Sequence, residues 1–486
     1  MTEDILYTFL AADTAGRLTI ASRAKYRTSL GTHLGSRAYD EYRALATRLD
    51  TAHLGIHSPK NLIFIPGICG SLLQSKTLGG IWWIDVRTRK HIDGLRLSAD
   101  GQTDANPDFQ LEPTTVDTTY EAFLAAILPH DDLGHEVHAY DWRKSLRLSA
   151  DGLKQRINRL HQENGALPVH LVAHSMGGLL VRTALMLHGQ ELWPKIGRIV
   201  FIGTPHYGSP AIASYLKNHL WGFELMALLG RYLSRDTFRS LRGALNLLPA
   251  PRGIYPDTQS GDPQPWTAEY SHPCVNFDLY QVENWKLDLS PTQSAYLQAA
   301  LDDTAALHRE LYAAHQALDQ TQRDRMLVIA GVGYKTLFRL AYEKHFFGLW
   351  ERAAKITERI PADPHRDGDG RVPLASATLE NVPIRYVRGV HGGLTNIPAV
   401  YNEVFRWLRE ERLQLPDQVH GALGQHLALG EGESDAPHLD GTASIEPFSD
   451  DPGLWKTDTQ QPQELHLLEE KLGAEQLPEF NHIHLL

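Results

Sequence analysis

Cysteine is nearly absent: Cys69 and Cys274 are the only two in 486 residues. That excludes a multi-bridge disulfide framework and a thiolate metal site, and leaves one Cys69–Cys274 bridge as the sole pairing available. Long hydrophobic runs are missing too. No apolar stretch approaches the ~20 residues that a membrane-spanning helix needs. Met1 to Leu10 carries Glu3 and Asp4 and has no basic segment ahead of an apolar one, so no secretory signal is visible. The expected location is the cytoplasm, or the exterior by a non-classical route. An excess of positive charge is also lacking. The formal net charge is −11, and residues 431–486, with thirteen acidic and two basic side chains, account for all of it. This balance argues against nucleic acid as a partner. The neutral remainder would not be repelled by an anionic lipid surface, so transient membrane-surface contact stays open. No internal repeat is present.

What the chain does contain is alternation. Residues 1–58 space Leu, Ala and Tyr as helices do. Asn61 to Ile65 is then a short apolar run ended by Pro66-Gly67, the pattern of a buried parallel strand. Similar runs recur at His135 to Tyr140, Pro168 to Ala173, Arg198 to Gly203, Met326 to Ala330 and Pro383 to Val387. Helical stretches at Ala150 to Glu163, Met176 to Leu187 and Pro398 to Leu408 lie among them. The expectation is an α/β fold: a mostly parallel central sheet with helices on both faces. The boundaries read as a helical extension at 1–58, a core at 59–209 and 326–415, a largely helical cap insertion at 210–325, and an acidic, weakly structured tail at 416–486.

The densest local signal is Pro168 to Arg182, where a strand runs into Ala173-His174-Ser175-Met176-Gly177-Gly178 and a helix follows at once. This small-x-Ser-x-Gly layout lifts a serine hydroxyl clear of the sheet on a strained turn, with helix N-terminal amides beneath it. Such a turn serves nucleophilic catalysis. The competing reading has Ser175 only capping the helix. Ala173 occupies the position of the first glycine and is small enough for it. His174, beside the serine, leaves the turn in another direction and is not the expected base. A second amide for the oxyanion should come from the loop after an earlier strand, Ile65-Pro-Gly-Ile-Cys-Gly-Ser71. Ile68 and Met176 are the expected pair of donors.

In an α/β-hydrolase the chain order is serine, acid, histidine. Downstream of Ser175, Asp367-Gly-Asp-Gly-Arg-Val-Pro373 precedes the last strand, and Val390-His391-Gly-Gly393 follows it. Asp369 is the expected acid, Asp367 the alternative, and His391 the base. Calcium binding to the acidic loop is the rival reading, but His365 and Ser376 would occupy ligand positions that call for carboxylates. No metal and no organic cofactor is expected.

Taken in order, Ile65 to Leu72, Tyr140-Asp-Trp-Arg143, Ala173 to Gly178, Gly203-Thr-Pro-His-Tyr-Gly-Ser209, Gly368 to Pro373 and His391 resemble the lecithin:cholesterol acyltransferase family, which includes lysosomal phospholipase A2. The resemblance covers about 61–410. It implies the α/β-hydrolase fold, a Ser175–Asp369–His391 triad, and a lipid ester substrate cleaved or transferred through an acyl-enzyme. It further implies that Tyr140 and Trp142 shape the floor of the site, and that Trp82 and Trp83 fall in a lid or membrane-contacting loop. Trp221 and its apolar neighbours read first as a packed cap core, and the sharper reading has them line an acyl-chain path. An esterase for soluble or polymeric esters is the alternative function.

Overall fold

The computed structural model describes residues 2–34, 36–50, 59–83, 93–216, 234–256, 272–274, 277–334, 336–337, 340–342, 354–355, 368–419 and 422. Six strands form the central sheet: β1 (Lys60–Ile65), β5 (Gly134–Val137), β6 (Val169–His174), β7 (Ile196–Ile202), β8 (Met326–Val332) and β11 (Ile384–Arg388). Their order across the sheet is β11-β8-β7-β6-β1-β5, and every pairing is parallel. The four apolar residues at the end of β1 and all seven of β8 are buried. A strand covered on both faces has no polar side to alternate with, which is why these runs read as continuous hydrophobics. Two apolar layers sandwich the sheet, one around Leu171, Leu179 and Ile199, the other around Leu62, Phe123 and Val404.

Parallel neighbours need crossovers, and helices supply them. Two of them, α6 (Leu146–Glu163) and α7 (Met176–Leu192), pack on each other beside β6. The stretch 210–325, expected as a largely helical cap insertion, contains another long helix. The 26-residue helix Pro291–Gln316 packs against α7, and its buried residues Leu297, Leu301 and Leu311 join the core. It is the crossover that returns β7 to β8. A capping box at Ser290 and Gln293, with Pro291 in the first turn, starts it.

Two smaller sheets complete the strands. An antiparallel one joins β2 (Ser71–Ser75), β3 (Ile81–Trp83) and β4 (Leu111–Val116), and a ribbon pairs β9 (Ala341–Tyr342) with β10 (Ala354–Lys355). Four helices precede β1: α1 (Thr2–Ala11), α2 (Thr14–Ser22), α3 (Arg27–Leu34) and α4 (Ser36–Asp50). They bury Leu6, Phe9, Leu18 and Tyr39 against Leu72, Ile81 and Ala125 of the main body. Arg17 crosses this seam, fully buried, to pair with Glu121 at 3.0 Å. Both cysteines are buried and free, so the Cys69–Cys274 bridge does not form. No helix among the described residues is long and apolar enough to cross a membrane. Of the tail, Leu415 is buried and the Pro416 carbonyl accepts from Tyr386, while 423–486 lie outside the described residues.

Candidate active site

Ser175 stands between the end of β6 and the start of α7, with φ 52° and ψ −124°. Positive φ is costly for a residue with a Cβ, and such strain gathers where function demands it. The small residues around the serine have measurable causes. A Cβ on Gly177 would lie 2.5 Å from the Ile65 carbonyl oxygen, and one on Gly178 would lie 2.1 Å from Thr204 Oγ1. The first contact is with backbone and cannot rotate away.

Three distant segments converge on that turn. His391 Nε2 is 2.9 Å from Ser175 Oγ, and His391 Nδ1 is 2.7 Å from Asp369 Oδ2. The carboxylate can only accept, so Nδ1 carries the proton and Nε2 is left to accept from the serine hydroxyl. All three side chains are buried. Asp369 Oδ1 accepts the amides of Arg371 and Val372, and the Asp369 carbonyl accepts the His391 amide at 2.9 Å. Room for the acid comes from two glycines at strand ends. A Cβ on Gly331 would sit 2.6 Å from Asp369 Cβ, and one on Gly203 would sit 3.3 Å from His391 Nδ1. Asp367 and His365 fall outside the described residues. Among the described residues no group of three or more His, Cys, Asp or Glu is arranged to hold a metal.

The loop after β1 lies against the serine. A Cβ on Gly67 would come within 2.9 Å of Ser175 Cβ, so only glycine allows this approach. Ile68 follows it, and Cys69 has φ 60°. Met176 opens α7, where first-turn amides have no intrahelical acceptor. Ile68 thus directly follows the glycine that touches Ser175, and Met176 directly follows the serine.

Aromatic residues pin this loop. Tyr140 donates its hydroxyl to the Pro66 carbonyl at 3.1 Å, and Trp83 Nε1 donates to the Cys69 carbonyl at 2.8 Å. Trp142 Nε1 reaches the Ser71 carbonyl at 3.2 Å. Trp82 and Trp83 are both buried on β3, Trp82 against Phe109 and Trp83 against Trp142. Both were expected in a lid or membrane-contacting loop, and in this structure they pack inside the small sheet. Their apolar area is spent on packing the small sheet, and Trp83 braces the loop after β1 from within. Trp221 lies outside the described residues, as does the rest of 217–233.

Sequence reasoning missed Tyr120 and named His174 without finding its partners. Tyr120 Oη accepts the Gly67 amide at 3.0 Å and lies 3.0 Å from His174 Nδ1, and His174 Nε2 is 3.0 Å from the His391 carbonyl. No local pattern announces Tyr120. It follows β4, 54 residues before its partner, and only the fold joins them.

Comparison with known proteins adds to the geometry. The lecithin:cholesterol acyltransferase family model matches residues 135–259. Phospholipase A(1) LCAT3 of Arabidopsis thaliana is 26% identical over 304 residues, covering 56% of this chain and 65% of that protein. Lecithin-cholesterol acyltransferase-like 4 of the same plant is 22% identical over 316 residues, covering 60% and 57%. The chain thus spans less than two thirds of the length of these relatives. Among solved structures, the Tle4-Tli4 complex aligns with a TM-score of 0.48 and 16% identity, over 73% of this chain and 99% of that one. The family model and both plant relatives support an LCAT-like family for this chain.

Proposed function

We propose that the chain is a serine-dependent lipid ester hydrolase of the lipase or phospholipase A type, working through an acyl-enzyme on Ser175. The observation that carries this reading is the unbroken hydrogen-bonded line Ser175–His391–Asp369 on a strained strand-to-helix turn. His391 takes the Ser175 proton as Oγ attacks the ester carbonyl. The amides of Ile68 and Met176 hold the oxyanion, each worth about 3 kcal/mol of the barrier. The imidazolium, held by Asp369, returns its proton to the departing alcohol. Water, or the hydroxyl of a second lipid, then gives a proton to His391 and takes the acyl group, and His391 passes that proton to Ser175 Oγ, which frees the serine. Hydrolysis and acyl transfer differ only in this acceptor.

The lipid class rests on the relatives named phospholipase A(1) and lecithin-cholesterol acyltransferase-like. On this reading the catalytic core comprises 59–209 and 326–415 together with the crossover helix Pro291–Gln316. Transient contact with a lipid surface belongs to the same proposal, although Trp82 and Trp83 do not supply it here.

The test is mass spectrometry of products from mixed-lipid vesicles, comparing wild type with Ser175→Ala. Fatty acid released by wild type and not by the variant is the expected result. Equal release by both proteins, or none by either while folded, overturns the proposal. Turnover of short-chain soluble esters with no release from vesicles would transfer the site to soluble or polymeric esters.

A further inference from the structure

Tyr120 and His174 take no part in the proton transfers above, yet they lie between the two halves of the site. The hydrogen-bond directions follow from chemistry. A carbonyl oxygen only accepts, so the nitrogen facing the His391 carbonyl, His174 Nε2, must carry a proton. Burial, with His391 beside it, pushes the His174 pKa down to about 3, so the ring is neutral and Nδ1 is bare. Nδ1 then accepts the Tyr120 hydroxyl proton, and a lone pair of that oxygen receives the Gly67 amide. Burial also raises the Tyr120 phenol, which keeps its proton at neutral pH. Each donor has one acceptor, and no nitrogen of the ring is left over.

We propose that Tyr120 and His174 are positioning residues that lock the oxyanion loop and the His391 loop into one frame around Ser175. This rests on the hydrolase reading. The chemistry needs two alignments at once, Oγ on His391 Nε2 and the carbonyl oxygen on the amides. Misplacement by about 1 Å can cost a hundredfold in rate. The parts to be aligned are far apart in the chain, with His391 216 residues beyond Ser175. Packing restrains the Tyr120 ring through Phe64, with centroids 4.9 Å apart, and through Gly70, where a Cβ would meet Tyr120 Oη at 2.8 Å. Among the described residues, the hydroxyl and the imidazole link the Gly67 amide to the His391 carbonyl.

The experiment compares wild type, Tyr120→Phe, His174→Leu and His174→Gln, all checked for folding by circular dichroism. Steady-state hydrolysis of p-nitrophenyl butyrate and labelling of Ser175 by a fluorophosphonate are the activity readouts. In Tyr120→Phe and His174→Leu, kcat should fall about ten- to a hundredfold with KM unchanged. His174→Gln carries an acceptor and a donor at its tip and should recover most of the loss. Wild-type kcat in folded Tyr120→Phe or His174→Leu overturns the proposal, as does a His174→Gln variant no better than His174→Leu. A wild-type protein that neither turns over nor labels counts against the hydrolase reading instead. The relay is then judged from 15N spectra of histidine-labelled protein at pH 7, with His174 assigned by its loss in His174→Gln. A neutral Nε2–H ring sustains the relay, and a protonated or Nδ1–H ring overturns it.

Discussion

Asp369 has both carboxylate oxygens committed, Oδ1 to the amides of Arg371 and Val372 and Oδ2 to His391. The two amides hold the side chain in place whether or not it is charged. Asn at this position would keep its oxygen on them and turn its NH2 toward His391 Nδ1. That nitrogen would then accept, the proton would move to Nε2, and the ring could no longer take the serine proton. Asp369→Asn should therefore lower kcat by about 10^4, the scale of a triad left in the wrong tautomer, with KM and thermal midpoint nearly unchanged. Ester hydrolysis at pH 7 beside a melting curve measures both. A variant with wild-type kcat would transfer the acid role to Asp367. The same scale shows why some site residues were legible and others not. Ser175, Asp369 and His391 sit in short glycine-flanked motifs, because a strained turn and a crowded loop demand glycine locally. Tyr120 meets Gly67 and His174 only through the fold and leaves no mark in its own neighbourhood, while His174 sits in the serine motif without revealing its partners.

At the level of elements, legibility followed burial. The strands of the central sheet appear in the sequence within a few residues of their observed limits because parallel, doubly covered strands are continuous apolar runs. The helix Pro398–Leu408 matches its expected bounds, opened by a proline in its first turn. The small sheet β2-β3-β4 was not legible. Its strands are short and interrupted, and Ile81–Trp83 is buried at every position, so an exposed aromatic pair and a packed strand look alike. The crossover helix Pro291–Gln316 lies in a stretch legible as helical, but periodicity reports a face and not what covers it. The N-terminal helices reveal their helicity but not their anchor, the Arg17–Glu121 pair, which joins residues 104 apart. Arg17 also donates to the carbonyls of Leu10 and Val116, and Glu121 follows directly on Tyr120. Arg17→Met would leave Glu121 buried without its cation, at a cost of about 3–5 kcal/mol. Arg17→Met/Glu121→Met should recover most of that. Urea unfolding of the two variants and wild type measures the difference. A single variant within error of wild type would show that the seam does not depend on the pair.

Across the whole molecule, buried histidines set the response to acid. His138, His174, His206, His308 and His315 are all buried. Burial is the largest cause of a lowered pKa in each: about 3 for His138 and His174, about 4 for His308 and His315, and well below the usual range for His206. The buried Arg182 guanidinium adds to the effect at His206, His308 and His315. In the unfolded chain these rings take a proton near pH 6.5, while in the folded protein they resist it until about pH 4 or below. Their contribution to stability is therefore complete above about pH 6.5 and is lost as pH falls toward the folded values. One unit below 6.5, each ring favours unfolding by about 1.4 kcal/mol. Several such rings together rival the roughly 5–15 kcal/mol that holds an ordinary domain folded. Urea or thermal midpoints should accordingly drop steeply between pH 7 and 5.5, with uptake of about one proton per buried ring on unfolding at the lower pH. A flat profile over that interval would mean that these rings are already protonated in the folded state. A core of this composition suits work at neutral pH.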